Sequence, residues 1–550
     1  MCLTILHQQD TMPMSQLRQL FVTTLICVSG ISLLSQPWIP DQGDGTYRNP
    51  VIFADYSDPD LVRVGGDFYM VSSSFNCVPG LPVLHSKDLV NWTIVNHVFG
   101  WMPPREVYSV PQHGNGCWAP SLRYHEGVFY VFFGDPDFGI YMSKTTDPLG
   151  TWEPLKLIRS AKGWIDPSPL WDDDGNAYLV HAFAGSRSGM KSVLAVHRME
   201  PDGTALPGDG VLVYDGHGVN PTIEGPKFYK RNGYYYIFAP AGGVKPGWQT
   251  VLRSRNPFGP YEIRTVMHQG GTDINGPHQG GWVELENGES WFLHFQDMDV
   301  YGRVVHLNPM VWNEDWPVIG TDPDGDGIGE PVRSYRKPDV QASPAPGGPQ
   351  TSDEFNGTSP GLQWQWHANP EQEWMFMSGH LGTMRLYCML REDHFVNHWS
   401  NPRLFLQKWP APAFSATARI RFTPHMEGDA AGLIIMGMDY AAIQITRVEG
   451  RLIISHVICE GAVDGKEEKV VEQYETEQQE LDLRVEVTEG GRCRFAFSED
   501  GEQFTWMMEP FMASPGRWIG AKVGLFAMSR TPTNDKGFAD VDWFRIEGIE

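Results

Sequence analysis

Cysteine, basic clusters and long apolar runs are all scarce in this 550-residue chain, and each scarcity removes a class of protein. The 7 cysteines include no C-x-x-C pair, so a zinc site has no ligand set. Lysine and arginine together number 42 against 67 acidic residues, a net charge of −25 with no basic cluster. That excludes a protein that grips phosphate backbones, and no nucleic-acid partner is expected. The longest apolar run, 20–34, falls short of the roughly 20 residues a membrane helix requires. With Arg18 before it and Ser35-Gln36 after it, the run has signal-peptide anatomy. Residues 1–36 are therefore read as a leader that exports the chain to the periplasm or beyond, with no membrane span. Cleavage there leaves Cys77, Cys117, Cys388, Cys459 and Cys493, an odd number, and a Cys77–Cys117 pairing stays open. No segment combines caps with a 3.6-residue apolar period, so long helices are absent too.

Aromatics and turn formers are plentiful: 28 Phe, 20 Trp and 19 Tyr stand beside 59 Gly and 42 Pro. Short apolar alternations bounded by Gly, Pro, Asn and Asp are the signature of strands and tight turns, and the expected class is all-β. The length exceeds the roughly 250–300 residues at which one core stops growing. Residues 336–350, within the Pro- and Gly-rich stretch Ser334 to Gln350, read as a linker between domains at 45–335 and 351–550.

One pattern repeats through the first domain: a proline, an apolar strand, a glycine turn and an aromatic strand. Its copies begin at Asp58-Pro59, Ala119-Pro120, Asp166-Pro167 and Glu224-Gly225-Pro226, and a fifth without proline begins at Gly281-Trp282. Hairpin repeats spaced by roughly 50–60 residues indicate a β-propeller, because a single blade cannot bury its own faces. Five copies imply five blades. The starts of the innermost strands converge on the axis, bringing Asp58, Trp118-Ala119, Asp166, Glu224 and the neighbourhood of His278 to one funnel. Three acids so placed raise one another's pKa and serve no structural need. Paired carboxyls, one protonated and one ionised, suit glycoside hydrolysis: the acid protonates the leaving oxygen and the other activates water or attacks the sugar. The third acid orients the first and holds its pKa up. Trp118 offers an apolar platform for a sugar face.

These residues resemble glycoside hydrolase family 43. The resemblance rests on Tyr56-Ser57-Asp58-Pro59-Asp60, Ser74-Phe75, Trp118-Ala119-Pro120, Trp164-Ile165-Asp166-Pro167-Ser168, Glu224-Gly225-Pro226 and Gly302-Arg303. In the second domain it rests on Asp353-Glu354-Phe355, Trp364, Trp366 and Asp540-Val541-Asp542-Trp543-Phe544. It implies a five-bladed propeller followed by a C-terminal β-sandwich of the concanavalin or jelly-roll type. It also makes Asp58 the general base, Glu224 the general acid and Asp166 the pKa modulator of an inverting hydrolase. Phe75 and Trp118 would line the pocket and Arg303 would bind substrate hydroxyls. His278 matches an axial histidine that touches calcium or water, so a structural calcium is an expectation there, with no cofactor required for the chemistry. The implied substrates are plant hemicellulose oligosaccharides, xylo- or arabino-configured. Exo removal of β-1,4-linked xylose is placed first and α-L-arabinofuranose release second. An endo-arabinanase and a non-catalytic sugar-binding propeller follow. The sandwich is expected to close one side of the pocket, favouring single sugars from chain ends.

Asp322, Asp324, Asp326 and Gly327 look like the front of a calcium loop, but the twelfth position is Arg333, where such a loop needs Glu, so a polar turn is the reading. Trp364, Trp366 and Trp374 are read as sandwich core.

Overall fold

The computed structural model describes residues 36–549 apart from Ser343 and His394. The expected leader, 1–36, lies outside the described residues but for its last. No helix among the described residues is long and apolar enough to cross a membrane.

Five four-stranded antiparallel sheets follow one another, each with its strands in chain order. Blade one is built from Asp60–Val64, Asp67–Val71, Gly80–Ser86 and Trp92–Phe99. Blades two to five begin at Trp118, Trp164, Lys227 and His278, and the last strand ends at Ile319. Because blades stack face to face, their middle strands are covered on both sides and read as continuous apolar runs. Val128–Asp135 is buried at every position but its first, and Tyr234–Ala241 likewise. A short sheet pairing Thr46–Arg48 with Ser334–Arg336 ties the two ends of the propeller together.

The second half is two packed eight-stranded sheets. Strict alternation produces them, as in Glu480–Thr488, where Leu481, Leu483, Val485 and Val487 point inward. Trp364, Trp366 and Trp374 are buried in this core, at 2%, 6% and 6% exposure. The stretch read as a linker packs down: Gln350 exchanges two hydrogen bonds with the backbone of Ile94, and Gly347 N–H donates to Asn91. The sandwich is joined to blade one by reciprocal backbone bonds between Val78 and Trp366. Asn76 adds a bond to the carbonyl of His367.

The five cysteines are free and buried, so Cys77 and Cys117 form no disulfide. The Asp322 loop is a turn closed on itself. Gly325 and Gly327 N–H donate to Asp322, Asp326 N–H to Asp324 and Ile328 N–H to Asp326.

Candidate active site

A left-handed residue opens the innermost strand of every blade. Asp58 (φ 55°), Ala119 (23°), Asp166 (57°), Gly225 (60°) and Gln279 (35°) occupy the same step of the repeat. Such backbone is costly for a side chain with a Cβ, least so for Asp, and it breaks the strand register and turns the residue toward the axis. Register shifts lie beside it in blades two, three and five. The match of positions read from the repeat is thereby corrected in blade four, where Glu224 precedes the left-handed step by one residue, and sharpened in blade five, where the step is Gln279 beside His278. Blade four must put glycine on the step, since a Cβ at Gly225 would come within 2.5 Å of the Gln279 side chain. Its acid is therefore carried one position earlier.

The steps converge on a pocket of about 650 Å³ lined by Asp58, Phe75, Trp118, Asp166, Glu224 and Arg303 together with Lys191, Gln279 and Trp518. Six of the seven residues expected from the sequence thus share one cavity, while His278 lies fully buried behind it.

Asp58 is surrounded by donors. Ser57 and Ser73 hydroxyls donate to Oδ2 at 2.9 and 2.5 Å, and Arg303 Nη1 approaches Oδ1 at 3.5 Å. Such a set suits an ionised carboxylate, which can only accept. Asp166 receives a single protein hydrogen bond, from Gly225 N–H at 2.8 Å. Burial first, and then the charge of Asp58, push its pKa up. Glu224 is pushed up as well, chiefly by burial and then by Asp166 and Asp58. Its side chain keeps 24% exposure through the pocket mouth. One carboxyl gathers donors while its two neighbours are held toward the protonated form, the kind of split that general acid–base chemistry uses.

Arg303 is 6% exposed, donates to Ser57 at 3.2 Å and lies 4.9 Å above the Phe295 ring. Phe75 and Trp118 meet edge to face at 6.5 Å, and the Trp118 indole N–H is anchored on the Gly114 carbonyl. His278 Nε2 is 3.6 Å from Glu224 Oε1, and burial holds the imidazole neutral, its pKa down to about 3. Both its ring nitrogens lack a protein partner. Calcium takes about six to eight oxygen ligands; Glu224 Oε1 is the carboxylate oxygen within 4 Å of this imidazole, and no group of three metal-ligating side chains among the described residues includes His278. Unpartnered buried nitrogens of this kind are ones that an ordered water satisfies.

Two contributors escaped the sequence reading. Trp518, on a sandwich loop more than four hundred residues beyond Asp58, closes the mouth; its ring is 6.5 Å from Trp118 and 5.6 Å from the Arg303 guanidinium. Asp55 is buried, and its carboxylate takes Arg303 N–H at 2.9 Å on one oxygen and Gly520 N–H at 3.0 Å on the other. It ties the strand that carries Arg303 to the loop that carries Trp518. Nothing local marks either residue in the sequence, because each matters only through the docking of the two halves.

A propeller funnel with one donor-rich carboxyl and two whose pKa burial pushes up, walled by aromatics, defines a glycoside hydrolase. Comparison with known proteins narrows the class: residues 47–317 match the model of glycosyl hydrolases family 43, and 352–547 that of the beta xylosidase C-terminal concanavalin A-like domain. The chain belongs to glycosyl hydrolase family 43. It is 40% identical over 488 residues, 88% of its own length and 86% of the relative's, to a putative beta-xylosidase of Xylanibacter ruminicola. A non-reducing end alpha-L-arabinofuranosidase of Bacteroides ovatus is 30% identical over 72% of this chain and 74% of its own. The crystal structure of a family 43 protein of Bacillus licheniformis superposes with TM-score 0.77 at 26% identity, over 92% of this chain and all of the other.

Proposed function

We propose that the protein is an exo-acting, inverting glycosidase that removes terminal β-1,4-linked xylose from xylo-oligosaccharides or xylan. In this reading Asp58 is the general base that activates water, Glu224 protonates the leaving oxygen and Asp166 keeps Glu224 protonated and oriented. Phe75, Trp118 and Trp518 hold the sugar faces, and Arg303 holds its hydroxyls. The observation that carries it is the pocket itself: three carboxyls at its floor and a wall completed from the sandwich, a shape that suits a chain end better than a chain middle. Two carboxyls and a water suffice for the chemistry, so the reading calls on no cofactor.

Release of α-L-arabinofuranose is the second reading, favoured by the name of the Bacteroides relative. Hydrolysis of p-nitrophenyl β-D-xylopyranoside and α-L-arabinofuranoside side by side, with Asp58→Asn as control, separates the two. Release from the xyloside, abolished by Asp58→Asn, is expected. Cleavage of the arabinofuranoside alone would reverse the order. Export by the 20–34 segment is part of the same reading, and a mature N-terminus found near residue 37 in exported protein is the expected result.

A further inference from the structure

Of the 20 tryptophans, only two are exposed: Trp518 at 50%, on the pocket, and Trp101 at 56%. Trp101 follows Trp92–Phe99, the outermost strand of blade one. Strand direction alternates through the blade, so the end of the fourth strand lies on the same side as Asp58 and Phe75, and the chain beyond Trp101 runs on to Trp118. Trp101 therefore stands at the rim of the face on which the pocket opens. Two clefts meet at it, both lined by Gly100 and Trp101. One, of about 400 Å³, is walled by the sandwich at Trp366, Asn369 and Gln372. The other, of about 450 Å³, follows the outer strand toward Thr151 in blade two. The two clefts thus adjoin at Trp101, and together they offer more room than one sugar ring fills.

Its polar walls are built to be rigid and close to neutral. Asn369 exchanges side-chain bonds with the Met102 backbone at 2.7 and 2.8 Å, and Asn96 donates to the carbonyls of Pro148 and Gly150. Arg105 and Glu371 cancel in an ion pair at 3.2 Å, and Glu153 is the one lining acid with no ion-pair partner among the described residues. An exposed indole on walls fixed by the Asn369 and Asn96 amides presents an apolar face to the C–H side of a sugar, and exposed Gln372 beside it offers an amide to the hydroxyl rim. An anionic chain would meet a molecule of net charge −25.

We propose that the groove through Trp101 is a second carbohydrate site that holds a neutral β-linked glycan chain apart from the catalytic acids. The inference rests on the glycosidase reading. Its use is kinetic: an enzyme that takes one terminal sugar at a time keeps the polymer near the pocket, where the next encounter is intramolecular.

The test is retardation in native gels cast with soluble xylan, arabinoxylan or β-glucan, using the full chain carrying Asp58→Asn so that the polymer stays intact. At least one polymer should retard the parent, and Trp101→Ala should weaken retention about tenfold, as loss of an aromatic anchor does. Trp101→Phe, which keeps a ring, should restore most of it. In the active enzyme, Trp101→Ala should leave aryl-glycoside turnover within about twofold, since truncating an exposed side chain far from the acids leaves the pocket intact. Equal retention of Trp101→Ala and parent, no retention of the parent by any polymer, or a parallel loss of aryl-glycoside turnover would overturn the proposal. Retention without turnover of any glycoside would sink the catalytic reading and leave the groove standing.

Discussion

Carboxylates are buried in both halves of the molecule, but under opposite conditions. In the sandwich, Asp540 receives both nitrogens of the Arg385 fork at 2.7 and 2.8 Å, and Asp482 those of Arg419 at 2.8 and 3.0 Å. Each of these two buried carboxylates has a bidentate cation. In the propeller, Asp166 has one backbone N–H, and Glu224 has a neutral imidazole 3.6 Å away. Buried acids with cations hold sheets together; buried acids without them carry their protons to higher pH and are available for chemistry. The difference sets the pocket acids apart from these two sandwich pairs, though a missing cation alone does not mark a site: buried Asp55 and Asp135 have none among the described residues and lie outside the pocket.

That contrast can be broken most sharply at the propeller acids. Asp58→Asn should lower turnover by about 10²–10⁴-fold on every substrate, because water activation is needed whatever the leaving group. Glu224→Ala should match that loss on oligosaccharides and fall well short of it on aryl glycosides with good leaving groups. Equal loss on both would remove Glu224 from the acid's role.

Asp166→Asn tests whether the unpaired acids act on one another. Its charge helps to hold Glu224 protonated, so removing it should let Glu224 ionise earlier and move the alkaline limb of the rate profile down by about one unit or more. An unmoved limb, with only a lower plateau, would mean that Asp166 merely shapes the pocket.

Trp518→Ala asks how far the sandwich enters the chemistry. KM should rise about tenfold with kcat changed little, the pattern of lost uniform binding. Asp55→Ala should reproduce part of this, and the double variant should fall short of the sum, because the two residues act along one connection. Strict additivity would show that Asp55 does not position Trp518.

The smallest effects concern stability, and their signs should differ between the halves. The native pKa of Glu224 is raised, so its contribution is fullest below the unfolded value near 4.3 and is lost as pH rises through the native one. Glu224→Gln should therefore gain a few degrees of Tm over the parent at pH 9 and almost nothing at pH 4, while activity disappears. Asp482→Ala should lose a few degrees at pH 7 and keep its turnover, since it strands the Arg419 guanidinium.

Much of this was legible because the propeller is a repeat. Spacing gave five blades, and the recurring step before proline gave the convergence of Asp58, Asp166 and Glu224. The same reading set blade four one residue early, at Glu224, since no composition signal shows that a Cβ at 225 would meet the Gln279 side chain. The three sandwich tryptophans were legible as core from their setting among strands. Trp518 and Asp55 were not, because their importance comes from surfaces that meet only after both halves fold. Residues 336–350 read as a linker from proline and glycine alone, whereas Gln350 and Gly347 are fixed by blade one through polar contacts that no periodicity reports.

The left-handed step at each blade start also bears on which residues can perform the chemistry. A position held at φ near +55° selects for Asp, Asn or Gly before any substrate is considered, as short polar side chains tolerate that backbone best. Two of the three acids are aspartates on the step, and the glutamate stands beside a glycine that fills it. Ala119 and Gln279 occupy the two remaining places without a charge. The architecture thus behaves as a ring of five sockets that accept much the same short list of plugs, three of them wired at present. Of the two uncharged places, Gln279 at φ 35° lies nearer that backbone than Ala119 at 23°, which makes position 279 the easier entry point for evolving or engineering a different proton inventory in the same fold.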